Sequence, residues 1–132
     1  MTAIPNGADG LLVLWRHGET LDNEQGVVPG QNDSPLSALG HNRCATAAAE
    51  IAEAIPVGTI VSSDLPRALQ SASYLAERIG IPIAAADRRL READVGSWQG
   101  LTRSRAARVF PDEFAAWQDG RDVRRGGGET SA

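Results

Sequence analysis

Short apolar runs alternate with longer amphipathic segments along the first two-thirds of the chain. The continuous apolar run 11–15 predicts a strand that is buried on both faces, and the runs 59–63 and 81–84 predict two more strands. Apolar residues at helical spacing predict helices over 37–54 and 64–79, between these strands. The order strand, helix, strand, helix, strand predicts a parallel sheet with both helices packed outside it.

Local signals predict where the helices begin and end. Ser37 and Asp64 are predicted N-caps, because their side-chain oxygens can accept hydrogen bonds from the first free backbone N–H groups. Gly80 is predicted to end the second helix. Two further helices are predicted downstream, one from Thr102 to about Val109 and one from Pro111 to near Gly120.

Composition limits the class of protein. The chain has 132 residues, a formal charge of −4, 42% hydrophobic residues and 23% charged residues, which suits one globular domain. The acidic balance argues against a nucleic-acid partner, and no apolar run has the length of a membrane span. The single cysteine excludes an internal disulfide. Residues 1–10 are predicted to be a flexible N-terminus without a signal peptide, so the expected location is the cytoplasm.

Polar clusters follow each of the three predicted strands. The run Arg16–Glu19 follows the first strand, Ser62–Arg67 the second, and Arg91-Glu92 lies after the third. Ligands of open α/β sheets bind beyond the carboxyl ends of the strands, where two arginine side chains suit a phosphate group. His17 is a candidate nucleophile toward phosphorus, although a histidine at this place can also simply hydrogen-bond the loop.

The motifs together resemble the histidine phosphatase superfamily, which is also called phosphoglycerate-mutase-like. The resemblance extends from about Leu11 to Thr130 and rests on collinear segments: Arg16–Thr20, Asn23, Gly30–Gly40, Ser62–Ala72, Leu90–Glu92, Gly96–Thr102 and Gly127–Thr130. It implies a three-layer α/β/α sandwich with a mainly parallel central sheet. It also implies phosphomonoester hydrolysis through a phosphohistidine.

The resemblance assigns roles to individual residues. His17 would attack the phosphoryl group, and Arg16 and Arg67 would hold its oxygens. Glu92 would act as the general acid toward the leaving oxygen and then as the base for water, and Asp94 is an alternative acid.

The resemblance also implies the partners of the site. Asn23, Thr20 and Gly30 match positions that bind substrate, and no metal or cofactor is implied. The expected substrate is a small phosphorylated metabolite. The phosphatase branch fits better than the mutase branch, and phosphoglycerate-mutase-type phosphoryl transfer is the alternative.

The chain departs from the family in one important respect. The family has a second catalytic histidine on a later strand, whereas this chain has only His17 and His41, and His41 is expected to be a solvated surface residue. Residues 11–132 are therefore expected to be a histidine phosphatase domain that is incomplete at its C-terminus, with an apolar strand edge left uncovered at 11–15. A non-catalytic phosphate-binding or interaction module is the second alternative, and a homodimer is one arrangement that would cover the edge.

Overall fold

The computed structural model describes residues 2–6 and 10–130, and it describes side chains from residue 10 onward. The chain has the α/β fold that the sequence predicted. Its strands are β1 (Thr2–Asn6), β2 (Gly10–Leu14), β3 (Ile60–Ser62) and β4 (Ile83–Ala86). Its helices are α1 (Leu21–Glu24), α2 (Ala38–Ala54), α3 (Pro66–Ile79), α4 (Arg103–Val109) and α5 (Pro111–Gln118), with 3-10 turns at Arg88–Leu90, Gly96–Trp98 and Arg125–Gly127.

The strands form two separate pairs within the described part of the chain. β3 and β4 are parallel and are connected by α3, which makes one βαβ unit. β2 instead pairs antiparallel with β1, from Thr2 opposite Leu14 to Asn6 opposite Gly10. β1 thus lies within the segment 1–10 that was predicted to be a flexible N-terminus, and residues 1 and 7–9 of that segment lie outside the described residues.

The prediction that the run 11–15 is a strand of the parallel sheet, buried on both faces, was wrong for the described residues, because β2 pairs only with β1 and its apolar side chains are left uncovered. Leu11, Leu12 and Leu14 are each about half exposed, at 52%, 49% and 51% of their surface. Pairing with β1 satisfies backbone groups along one edge of β2 but covers little of these side chains.

Two apolar clusters hold the rest of the chain together. The first joins α2, α3 and β3 through five buried residues: Ala48, Ile51, Ile60, Ala72 and Leu75. The second surrounds Trp98, which stacks on Phe110 and Phe114 and meets Trp117 edge-on at 5.8 Å between ring centroids. The second cluster fixes α4 and α5 against the loop after β4. No helix among residues 2–6 and 10–130 is both long and apolar enough to cross a membrane.

The predicted helix ends were correct where the signal is local. The Ser37 side chain accepts a hydrogen bond from the Gly40 N–H, Thr102 caps α4, and Gly80 ends α3 with φ of 71°. The prediction for Asp64 was wrong: Leu65 is the N-cap of α3 and forms no side-chain cap, because the Asp64 carboxylate pairs with Arg91 instead.

Candidate active site

His17 lies three residues after the end of β2 and makes two directional contacts. Its Nδ1 is 2.7 Å from the Gly18 carbonyl oxygen, and its Nε2 is 3.3 Å from Nε of Arg67. The tautomer that satisfies both contacts carries the proton on Nδ1, so the lone pair of Nε2 accepts the hydrogen bond from Arg67. The structure thus joins two of the predicted catalytic residues by a hydrogen bond.

The surroundings of His17 favour the neutral ring. Burial lowers the pKa of His17, and the positive charges of Arg67 and Arg16 lower that pKa further. The hydrogen bond to the Gly18 carbonyl and the nearby Glu92 carboxylate raise the pKa without reversing the overall direction. A neutral imidazole with an unprotonated Nε2 has the protonation state that a nucleophile needs.

Arg67 is the most completely enclosed charged group in the described part of the chain. Its side chain is 1% exposed, and its two terminal nitrogens donate to the carbonyl oxygens of Asn32 at 2.8 Å and Gly30 at 2.6 Å. These carbonyls compensate the burial of the cation and fix the plane of the guanidinium. The loop before α2 therefore holds the arginine that α3 supplies.

Gly30 must be a glycine for this arrangement. Its φ is +50°, and a Cβ atom there would lie 2.7 Å from Oε1 of Gln99 and 2.8 Å from Cγ2 of Val95. The predicted substrate-binding residue thus contributes backbone: its carbonyl holds Arg67, and its bare Cα lines the cleft.

The His17 loop is attached directly to α2 and α3. The Gly18 N–H donates to Oγ of Ser71 at 2.9 Å, and that hydroxyl donates to the Arg67 carbonyl at 2.8 Å. A Cβ atom on Gly18 would lie 2.6 Å from Sγ of Cys44, so the loop packs tightly against α2. Ser71, which the sequence analysis did not select, therefore links the two halves of the site.

Arg16 and Glu92 lie between two adjoining cavities. A cavity of about 630 Å³ is lined by His17 and Arg67, and a second cavity of about 500 Å³ is lined by Asn23 and Gly30. Both Arg16 and Glu92 line both cavities. All four predicted catalytic residues thus line the cavity of His17, and two of them also line the neighbouring cavity.

Thr20 and Asn23 contact each other, but only Asn23 lines a cavity. Thr20 is fully buried and outside both cavities, contrary to its prediction as a substrate-binding residue. Its Oγ1 accepts a hydrogen bond from the Asn23 N–H at 3.2 Å, and its own N–H donates to Oδ1 of Asn23 at 3.1 Å, which is a capping box for α1. Thr20 therefore orients Asn23, which lines the second cavity.

An ion pair that the sequence analysis missed holds the loop of Glu92. Nε and NH2 of Arg91 donate to the two carboxylate oxygens of Asp64, each at 2.6 Å. These hydrogen bonds lower the pKa of Asp64. The pair ties the residue before Glu92 to the start of α3, next to Arg67.

The C-terminal glycines are packed against the same loop. The Asp94 N–H donates to Oε2 of Glu129 at 2.9 Å, and the Glu129 N–H donates to the Asp94 carbonyl at 2.7 Å. A Cβ atom on Gly96 would overlap the Gly126 carbonyl oxygen, so the segments meet at backbone distance. Asp94, the alternative acid, lies outside both cavities and its carboxylate accepts the Gly96 N–H.

His41 is not part of the cleft. Its Nδ1 is 2.8 Å from the Tyr74 hydroxyl, and the two rings meet edge-on. The prediction of a solvated histidine was wrong, because the ring is partly buried on α3. Over residues 10–130 there is also no group of three or more His, Cys, Asp and Glu side chains that could hold a metal ion.

Comparison with known proteins points to one family. A model of the histidine phosphatase superfamily (branch 1) matches residues 12–132. A glucosyl-3-phosphoglycerate phosphatase of Mycolicibacterium vanbaalenii is 41% identical over 119 residues, which cover 90% of this chain and 52% of that protein. Phosphoglycerate mutase-like protein 4 of Arabidopsis thaliana is 33% identical over 121 residues, covering 90% and 53%.

Solved structures agree with the sequence comparison. The complex of a mycobacterial glucosyl-3-phosphoglycerate phosphatase with VO3 has a TM-score of 0.79 and 38% identity, and the match covers 86% of this chain and 56% of that one. The chain therefore spans about half the length of the relatives it matches.

Proposed function

Because the chain belongs to the histidine phosphatase superfamily, we propose that it hydrolyses phosphomonoesters of small metabolites through a phosphohistidine intermediate on His17. The observation that carries the proposal is the contact between Nε2 of His17 and the enclosed guanidinium of Arg67 at 3.3 Å. The contact supports the proposal, because an unprotonated imidazole nitrogen beside a fixed cation is suited to attack a bound phosphoryl group. The names of the relatives support a phosphorylated sugar acid as the substrate.

Phosphate binding would use the cations around His17. Arg67 has N–H groups beyond those that donate to Gly30 and Asn32. Its Nε–H, which donates to His17 here, can donate to a phosphate oxygen instead. Arg16, at the border of both cavities, can approach the phosphate from the exposed side. Together the two arginines neutralise the charge that the phosphoryl oxygens carry during transfer.

The chemical steps then follow from the positions of His17 and Glu92. Nε2 of His17 forms a bond to phosphorus while the bond from phosphorus to the ester oxygen breaks. Glu92 gives its proton to that leaving oxygen. A water molecule next attacks the phosphohistidine, the carboxylate of Glu92 takes its proton, and the P–N bond breaks to release phosphate and neutral His17.

Trapping of the intermediate tests the proposal. The chain is mixed with a phosphomonoester labelled on phosphorus, quenched within seconds and examined for acid-labile, base-stable label on protein. We expect label on the wild type and on His41→Ala, the matched control outside the cleft, and none on His17→Ala. Label that persists in His17→Ala would falsify the mechanism, and a wild type that binds the ester without becoming labelled would also contradict it.

A phosphate-binding module without turnover is the second candidate. It is favoured by one observation: the only other histidine of the chain, His41, is engaged by Tyr74 away from both cavities. This candidate predicts an unlabelled wild type in the trapping experiment. In a separate calorimetric titration it predicts saturable binding of inorganic phosphate that is lost in Arg67→Gln.

A further inference from the structure

The side chain of Gln31 contacts two successive residues of the loop that carries Glu92. Its Nε2 donates to the Glu92 carbonyl oxygen at 3.2 Å, and its Oε1 accepts a hydrogen bond from NH1 of Arg91 at 3.4 Å. A single amide group therefore connects the loop before α2 to the loop after β4, at the position of the proposed general acid. None of the roles proposed above uses Gln31.

Arg91 offers Gln31 a fixed partner. Its Nε and NH2 both donate to the Asp64 carboxylate, each at 2.6 Å, so NH1 is the terminal nitrogen that meets Gln31. The guanidinium is planar, and a bidentate pair with a carboxylate fixes its plane. Because Asp64 directly precedes the N-cap of α3, the Glu92 loop is anchored to the helix that supplies Arg67.

The main chain of Gln31 is tied to the residues that hold Arg67. The Gln31 N–H donates to Oε1 of Gln99 at 3.1 Å, and the amide nitrogen of Gln99 donates to Oδ1 of Asn32. The Asn32 carbonyl oxygen accepts a hydrogen bond from Arg67 at 2.8 Å. The same short segment thus holds the arginine through its main chain and the loop of the proposed acid through the Gln31 side chain.

The carboxylate of Glu92 needs such a support. Glu92 is exposed, and its Oε1 accepts a hydrogen bond from the adjacent Ala93 N–H at 3.3 Å. That contact lies within the loop, so it does not fix the carboxylate relative to His17. The position of the carboxylate depends instead on how the main chain of this loop is held, and Gln31 contacts the Glu92 main chain itself.

We propose that Gln31 is a positioning residue for Glu92, which keeps the proton donor at a constant distance from a phosphate held by Arg67. This inference rests on the proposed function. A general acid must lie within about 2.6–3.2 Å of the oxygen that it protonates, and a displacement of about 1 Å can slow a reaction about a hundredfold. Loss of the Gln31 amide therefore slows the steps that move a proton to or from Glu92. It spares the attack of His17 on an ester whose leaving group needs no proton.

Two aryl phosphates separate the proton transfer from the attack on phosphorus. The para-nitrophenolate anion is stable enough to leave without a proton, whereas the leaving oxygen of phenyl phosphate needs one. Gln31→Met removes both polar atoms of the side chain but keeps the N–H that donates to Gln99. In rapid-quench experiments we expect phosphoenzyme to form from phenyl phosphate about tenfold to a hundredfold more slowly in Gln31→Met. Its formation from para-nitrophenyl phosphate should stay within about twofold of the wild-type rate.

A double-mutant cycle tests whether Gln31 acts through Glu92. Glu92→Gln removes the proton donor, so the addition of Gln31→Met to it should change the phenyl phosphate rate by less than about twofold. Gln31→Asn, whose side chain is one methylene shorter, should repeat the difference between the two esters. Gln25→Met is the matched control, because Gln25 is exposed and lines neither cavity. It should leave both rates unchanged.

Circular dichroism should show that all variants are folded. Three results would overturn this inference alone: an equal loss with both esters, no loss with phenyl phosphate in either Gln31 variant, or a further loss of about tenfold in the Glu92→Gln background. A wild type that is labelled by neither ester would overturn the proposed hydrolysis together with it.

Discussion

Replacing Ser71 with alanine removes the one hydroxyl group that joins the His17 loop to α3. Ser71 is 3% exposed. Its hydroxyl accepts a hydrogen bond from the Gly18 N–H at 2.9 Å and donates one to the Arg67 carbonyl at 2.8 Å. Its loss leaves the Gly18 N–H without its acceptor in a partly buried place, which costs about 1–3 kcal/mol. The Cys44 thiol, 3.4 Å away, is a weak donor and adds little. We therefore expect Ser71→Ala to lower the free energy of unfolding by about 2 kcal/mol.

Urea titration followed by circular dichroism measures this change, and Ser73→Ala is the matched control. The Ser73 hydroxyl donates only to the Gln70 carbonyl of its own helix, at 2.8 Å, so its removal should cost less than about 0.5 kcal/mol. The rate of phosphoenzyme formation should fall in Ser71→Ala alone, because Gly18 positions His17. If the two variants have the same stability and the same rate, Ser71 does not hold the loop.

Two further predictions concern packing and acid stability. Gly40→Ala would place a methyl group against the Glu19 carbonyl oxygen and should cost about 1–3 kcal/mol, whereas Gly58→Ala, with open space around its Cα, should change little. Equal urea midpoints for these two variants would contradict the close packing. Hydrogen bonds from Arg91 lower the pKa of Asp64, so this pair stabilises the fold above the ordinary carboxyl pKa, and the contribution is lost as the pH falls through the lower folded value. Asp64→Asn should therefore show a smaller loss of unfolding free energy between about pH 5 and pH 2 than the wild type, and an identical slope would refute the coupling.

The helix ends show which structural features a sequence can predict. Ser37, Thr102 and Gly80 act on backbone groups within a few residues, and their predicted roles were confirmed. Asp64 has the residue type and the position of an N-cap, yet its carboxylate pairs with Arg91, 27 residues along the chain. A local signal fails when a distant charged group offers the same side chain a stronger partner.

In the candidate site, too, features that depend on local contacts could be predicted from the sequence, and features that depend on distant contacts could not. Polar clusters after two predicted strands led to the expectation that His17 and Arg67 share a cleft, and the structure joins them at 3.3 Å. The capping role of Thr20 could have been predicted from the sequence, since Thr20 lies three residues before Asn23, at the spacing of a capping box. The packing of Gly96 against Gly126 could not be predicted from neighbouring residues, because it depends on how two loops meet in space.

The anchoring of Arg67 explains how its guanidinium is oriented before any ligand binds. Backbone carbonyls of Gly30 and Asn32 hold the guanidinium through its two terminal nitrogens. In the proposed mechanism a phosphate would replace only the hydrogen bond to His17, so binding would exchange one contact of 3.3 Å for charge-assisted ones. The conformational entropy of the arginine side chain is therefore lost on folding and not on substrate binding. Such preorganisation is what makes electrostatic stabilisation of phosphoryl transfer effective. A lysine could not substitute, because one ammonium group cannot reach two carbonyls, the imidazole and a phosphate at fixed angles.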